Sequence, residues 1–243
     1  MLKFLVRTAF NAAKKPGRFL MARVNRLRFR CMTVEERFNH IYEANHWESD
    51  ESRSGVGSTL QYTANLRNCL PSLLEAHGIK KMLDAPCGDF NWMRHVLPFA
   101  NIDYTGGDLV SAMINENNNK YKSDSVRFVV LDMLCNDLPA VDVLMCRDLL
   151  FHLSDSDIHK VLKNFALSGI PLLFTSNHIN NLSFSNSNII SGGFRRIDLF
   201  SAPYNFPRDP LSRILDYVHP YPPREMCLFT REQVIFSISN WGF

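Results

Sequence analysis

The sequence predicts an α/β fold: a mostly parallel central sheet with helices on both faces, preceded by an N-terminal helical extension. Three observations predict it. Short apolar runs alternate with helix-length segments from Lys81 to Ser176, the pattern of βαβ units. The runs end in Asp84, in Gly106-Gly107-Asp108 and in Asp132, at the sheet edge where open α/β folds place their ligand loops. The 243 residues are 46% hydrophobic and 21% charged, the balance of a soluble globular domain with room for a short extension.

Three segments follow from the order of the elements. Residues 1–32 form a basic amphipathic arm. Leu2, Leu5, Val6, Ala9, Phe10 and Ala13 repeat at helical spacing, Lys3, Arg7 and Lys14 lie off that stripe, and Pro16-Gly17 stops it. Residues 33–80 form a helical N-terminal cap or lid. Thr33-Val34-Glu35-Glu36 has a capping-box arrangement, Ser52–Ser58 is a run of small residues around Arg53, and a helix runs from about Leu60 to His77 with Gly78 as its stop. Residues 81–243 form the core. Strands are expected at Lys81–Ala85, Ile102–Asp108, Val126–Leu131, Val141–Cys146 and Ile170–Ser176. Helices are expected at Asn91–Val96, Ser111–Tyr121 and Asp155–Leu167, the last capped by Ser154. An insertion at about 177–223 begins as an Asn- and Ser-rich loop. Phe194–Phe200 is a candidate strand, and Ser201–Pro223, with six prolines, reads as an irregular ordered excursion. Met226–Phe229 is a candidate closing strand.

Composition excludes several classes. No run of about 18 apolar residues is present, so no membrane-spanning helix is expected. The six cysteines are scattered without a CxxC pair or a cysteine–histidine cluster, which argues against a zinc site or a disulfide framework and for a reducing, cytoplasmic setting. Nine lysines and arginines precede the first acid, Glu35. Removing them from the net charge of +3 leaves the body at −6. An acidic body speaks against nucleic acid as a partner. Three readings of the arm stay open: a helix packed on the domain or on a second subunit in a homodimer, a peripheral membrane contact through residues 1–30, and a cleaved transit peptide.

The residues that carry chemistry follow the strands. Asp84, Cys87, Gly88 and Asp89 come after the first, Asp108 ends the second, Asp132-Met133 ends the third, and Arg147-Asp148 with His152 follows the fourth. A carboxylate there suits ribose hydroxyls, and a methionine beside one suits an adenine. Such a carboxylate alone is most often a cap or turn residue; their succession gives the set its weight. This constellation resembles the class I S-adenosylmethionine (SAM)-dependent methyltransferases over roughly Leu83 to Ser176. The resemblance implies a Rossmann-like methyltransferase fold and S-adenosyl-L-methionine as cofactor. Carried onto this chain, it implies that Asp84, Ala85, Pro86, Cys87 and Gly88 cradle the methionine part. Asp108 with Leu109 holds the ribose, Asp132 with Met133 meets the adenine, and Arg147 stands beside them. The usual glycine triplet is reduced to Gly88, since Pro86 and Phe90 occupy the other two places. The sequence is closer to a branch reading Leu-Asp-x-Pro-Cys-Gly, which Trp92 also fits.

The flanks extend the resemblance. Trp47 with Arg53–Ser58, and Gly193–Leu199 followed by Pro203–Pro207, look like a bacterial and viral branch of small methyltransferases, some of which O-methylate sugars. Trp47, Arg53, Ser54 and Gly55 are then a lid over the cofactor, although the run also reads as a mobile linker. The implied acceptor is a sugar of a glycan or lipid-linked precursor at the cytoplasmic membrane surface. The alternatives are a small metabolite and a non-catalytic nucleotide-binding module. A sugar hydroxyl needs a base. His152 is the candidate, with Asp148 orienting it or the acceptor. His178, Arg195, Arg196 and Tyr204 are candidate acceptor contacts. No metal is required, and a metal-assisted variant would draw on Asp132, Asp148 and His178.

Overall fold

The computed structural model describes residues 29–241. Of the arm expected over 1–32, residues 1–28 lie outside the described residues. Residues 34–80 belong to the same compact unit as the sheet.

Seven strands form one sheet: β1 (Lys81–Asp84), β2 (Asp103–Asp108), β3 (Val126–Val130), β4 (Val143–Cys146), β5 (Leu172–His178), β6 (Ser212–Leu215) and β7 (Arg224–Thr230), in the order β3-β2-β1-β4-β5-β7-β6. The first five are parallel, with Leu83 opposite Thr105 on one side and Leu144 on the other. β7 runs antiparallel between β5 and β6. The order reverses between β1 and β4, the crevice where such sheets bind ligands.

The pleat divides the strand residues between two cores. Leu83, Leu144, Cys146 and Leu173 point to the face covered by α4 (Asp155–Ser168) and α5 (Arg231–Ser239), where Ile158, Leu162, Phe165 and Val234 meet them. Met82, Val143, Met145 and Phe174 point the other way. They pack on Leu66, Leu70 and Leu74 of α2 (Ala64–Ala76) and on Ile114 of α3 (Ser111–Tyr121). α1 (Val34–Glu43) precedes them. All four residues of β4 are buried, which is why it reads as an unbroken apolar run. α4 starts where the Ser154 side chain accepts the Asp157 N–H and stops at Gly169, whose φ of 80° is left-handed. Thr230 and Gln233 close a full capping box at the start of α5.

Three expectations are corrected. Asn91–Val96 is not a helix but leads into two 3-10 turns, Met93–His95 and Leu97–Phe99. Phe194–Phe200 is not a strand: residues 194–198 have no regular secondary structure and 199–200 form a turn. The Ile197 carbonyl accepts the His178 N–H (3.1 Å), but the Ile197 N–H goes to His178 Nδ1 (3.3 Å) and the Leu199 N–H to Asn177 Oδ1 (2.8 Å), so side chains of β5 take the N–H groups that a ladder would pair. The excursion at 201–223 contains β6. Among the described residues no helix is long and apolar enough to cross a membrane.

Candidate active site

The carboxyl ends of β1 to β5 open into a cavity of about 400 Å³, roofed by residues 53–58 and Trp47. That volume suits a nucleoside-sized ligand.

The half over β1, β2 and β3 is organised around Gly88. Its N–H donates to Asp108 Oδ2 (3.1 Å) and its carbonyl accepts from Asn117 Nδ2 of α3 (2.8 Å). The φ of +58° is cheap only for glycine, and a Cβ there would lie 2.2 Å from Ser54 Oγ. Asp108 also accepts the Val110 N–H on Oδ1 (3.0 Å). A carboxylate has about four lone-pair sites; with the Leu109 N–H also acting on it, one is left for a further donor. Burial raises the Asp108 carboxyl to about 6 against the pull of the Val110 and Gly88 N–H groups, leaving it mainly ionised at neutral pH. Asp84 is buried and accepts the Tyr104 hydroxyl (2.7 Å). Burial drives it up to about 7, with Tyr104 and Arg147 opposing. Leu109, Val110, Leu131 and Met133 supply an apolar wall; Met133 is both lining and core. Asp132 lines the cavity while its Oδ1 caps the following turn at the Leu134 N–H (2.8 Å). Pro86 and Cys87 line the cavity; Ala85 does not, because it is fully buried under Gly107.

The roof is hydrogen-bonded to the loop that follows β1. Asp89 holds it by accepting from Ser52 Oγ (3.0 Å), the Arg53 N–H (2.7 Å) and Ser54 Oγ (3.4 Å), while its own N–H donates to Ser54 Oγ (3.1 Å). Gly55, at φ +91°, lets the chain pass Trp47, whose Cβ would sit 2.9 Å from an added methyl. Asn91 Nδ2 donates to the Ser58 carbonyl (3.0 Å), and Arg147 Nη2 to that of Gly57 (2.7 Å). The Arg53 guanidinium lies over the Tyr42 ring.

Over β4, β5 and the start of β7 lies a buried ionic network. Arg147 donates through Nε and Nη2 to both oxygens of Asp216 (3.0 Å each). Arg224 donates through Nη2 to Asp216 Oδ2 (2.9 Å) and pairs through Nη1 with Asp148 Oδ1 (2.8 Å). Asp148, at φ +59°, also accepts from Ser176 Oγ (3.2 Å) and faces Arg147 Nη1 (3.3 Å). Burial works to raise its carboxyl, but Arg147 and Arg224 outweigh it and hold it below the usual range.

His152 ends the 3-10 turn Leu150–His152. Its Nδ1 is 2.6 Å from the Gly193 carbonyl. A carbonyl only accepts, so Nδ1 carries the proton and Nε2 keeps its lone pair, the tautomer of a general base. Burial lowers its pKa, against the Gly193 carbonyl. His178 has the opposite tautomer. Its Nδ1 accepts the Ile197 N–H, and burial followed by Arg224 lowers it to about 4. Trp47, Phe151 and Phe194 surround His152, and Phe151 and Phe194 also meet His178.

The structure thus brings His152, Asp148 and His178 to one cavity, but not Arg195, Arg196 or Tyr204. Arg195 is buried beneath α4. It pairs with Asp155 and donates to the Leu153 carbonyl (2.9 Å) and to that of Ser187, pinning the loop that presents Gly193 to His152. Tyr204 is fully buried, its hydroxyl on Asp155 (2.7 Å). Arg196 is exposed and lies over Phe184. Asp132, Asp148 and His178 do not converge either: no group of three such side chains among the described residues is placed to hold a metal. Sequence reasoning missed Asn117, Tyr62, Asp216, Tyr221 and Arg224. The last three sit in or beside the proline-rich excursion, and only Arg224, directly after Pro222-Pro223, carries a signal of a strand starting there.

Residues 82–167 match a family model described as a methyltransferase domain. The sheet has the fold of solved methyltransferases. Magnesium protoporphyrin IX methyltransferase from Synechocystis PCC 6803 with bound SAH is 14% identical with a TM-score of 0.55, over 82% of this chain and 98% of that one. Burkholderia thailandensis 1,6-didemethyltoxoflavin-N1-methyltransferase with its substrate and S-adenosylhomocysteine is 17% identical with a TM-score of 0.57, over 81% and 86%. Human N-acetylserotonin methyltransferase in complex with SAM is 11% identical with a TM-score of 0.56; 81% of this chain spans only 59% of that one. No curated protein matches the chain.

Proposed function

We propose that the chain is a SAM-dependent methyltransferase acting on a hydroxyl, with a sugar of a glycan or glycolipid precursor as acceptor. The observation that carries it is the pairing, in one cavity, of Asp108 with a spare lone pair and His152 with Nδ1 fixed on a carbonyl. The residues fit the cofactor. Asp108 would hold the ribose hydroxyls, the Leu131–Met133 wall the adenine, and the Pro86–Gly88 loop with Asp84 the methionine part. When bound, SAM supplies an electrophilic methyl group on a sulfonium. This chain's part is to position and deprotonate the acceptor. His152 Nε2 takes the hydroxyl proton, the Gly193 carbonyl stabilises the imidazolium through Nδ1–H, and Asp148 adds a nearby negative charge. The roof formed by Trp47 and residues 53–58 excludes water.

The sugar is supported by the resemblance in the flanks and by the ring faces of Trp47 and Phe194 at the acceptor end. The basic arm would keep the protein at an anionic membrane surface. A small-metabolite acceptor is the second reading, with the arm as a dimer contact. Transfer of labelled methyl from SAM to neutral glycosides, compared in wild type and His152→Ala, tests the assignment. Cofactor affinity should hold while turnover falls at least about a hundredfold; near-normal turnover would remove His152 as the base.

A further inference from the structure

We infer that the acceptor is uncharged where it enters the site: the half of the cavity beyond β1 is an aromatic, charge-compensated chamber that admits a neutral molecule with a flat or apolar face. The assignment of this half to the acceptor rests on the methyltransferase reading; its charge balance does not.

The walls are Trp47, Tyr62, Phe151, Phe194 and Tyr221. Phe194 and Tyr221 are 60% and 45% exposed at the mouth, an apolar rim left open to solvent. Behind the rings are two guanidiniums, Arg147 and Arg224, and two carboxylates, Asp148 and Asp216. Asp216 holds both arginines from beneath, and Asp148 has one oxygen on Arg224 and Ser176 and the other facing Arg147. Arg224 Nε also donates to the Asp216 carbonyl (3.1 Å), and Arg147 Nη2 to that of Gly57. The planar faces are covered as well. Arg147 lies over Trp92, and Arg224 over Tyr62 and Phe151. His152 and His178 add no charge at neutral pH, since burial lowers both.

An anionic acceptor would therefore meet no uncommitted cation among the described residues lining this half, and a cationic one no uncommitted carboxylate. Either would have to break a buried pair or leave its own charge unpaired, which costs several kcal/mol. A neutral ring stacks on the walls without that cost. Arg195 and Arg196, the two candidate acceptor contacts whose charge could hold an anion, lie outside the cavity, consistent with this selectivity.

The test uses three probes of matched shape, benzyl alcohol, benzoate and benzylammonium, titrated by ligand-observed NMR against the full chain with and without S-adenosylhomocysteine. Benzyl alcohol is expected to bind at least about tenfold more tightly than either ion, and to lose affinity in Phe194→Ala and Tyr221→Ala. A charged probe binding as tightly as the alcohol, no binding of the alcohol, or binding indifferent to both substitutions would overturn the inference. The ranking without S-adenosylhomocysteine stands by itself. Failure of S-adenosylhomocysteine to bind would count only against the methyltransferase reading.

Discussion

Asp216→Asn removes the negative charge from a carboxylate that is fully buried and shared by two arginines. In the native protein it accepts from Arg147 Nε and Nη2 at 3.0 Å and from Arg224 Nη2 at 2.9 Å. An asparagine keeps one acceptor oxygen and turns an NH₂ toward a guanidinium, so at least one charged donor is stranded and Asp148 alone balances two cations. Breaking a buried pair by removing one partner costs about 3–5 kcal/mol, a large part of a total stability of about 5–15 kcal/mol. Urea unfolding at neutral pH should show a loss of that size with little change in the slope of the transition. Glu232→Gln is the control: its ion-pair partner, Arg231 Nε, is 4.0 Å away, its side chain is 75% exposed, and a glutamine oxygen can still accept from the backbone N–H and Thr230, so its effect should stay within about 0.5 kcal/mol. Because Arg147 also holds the Gly57 carbonyl, the variant should release bound cofactor faster. A loss below about 1 kcal/mol would mean that the network is solvated, and the account of a charge-compensated chamber would fail with it.

Other outcomes follow from the same site. Gly88→Ala forces a side chain onto φ +58° and into Ser54 Oγ; it should cost about 1–2 kcal/mol from the backbone alone, and Ser54→Gly should restore cofactor affinity in part but not that stability. Turnover should rise with pH along a limb whose midpoint lies below 6.5, because His152 acts neutral and burial lowers its pKa, and it should then stay flat to pH 8; a midpoint well above 6.5 would point to another base. Asp84 titrates at about 7 when folded against 3.8 ordinarily, so the folded state disfavours its charge. Its destabilising effect is absent below about pH 4, grows as pH rises to 7 and is constant above, reaching on the order of 4 kcal/mol. Thermal unfolding of Asp84→Asn should therefore match wild type at pH 4 and exceed it at pH 8.

Much of this was legible in the sequence where local and tertiary demands agree. β4 is apolar throughout because both its faces are covered, and Ser154 marks α4 because its side chain caps it. The acids at 84, 108 and 132 were legible as strand ends, since the topology puts every parallel strand's last residue at one edge. β6 was not, because an edge strand buries little: only Ile214 of its four residues points into the core. Phe194–Phe200 misled for the opposite reason. Ile197 and Leu199 are buried in alternation, as in a strand, but their N–H groups go to the side chains of His178 and Asn177. Arg195 and Tyr204 looked like acceptor ligands because charge and aromaticity mark binding sites. Here both meet Asp155 at the head of α4, a contact no spacing in the chain announces.

Calorimetric titration of S-adenosylhomocysteine into the wild-type chain and into Asp108→Asn tests the central claim most directly. Asparagine keeps the size of the side chain and removes the charge that would receive the ribose hydroxyls. The account predicts one site per chain in the wild type and an affinity about tenfold to a hundredfold weaker in the variant, with an unchanged circular dichroism spectrum. No binding to the wild type, or equal binding to both, would contradict it.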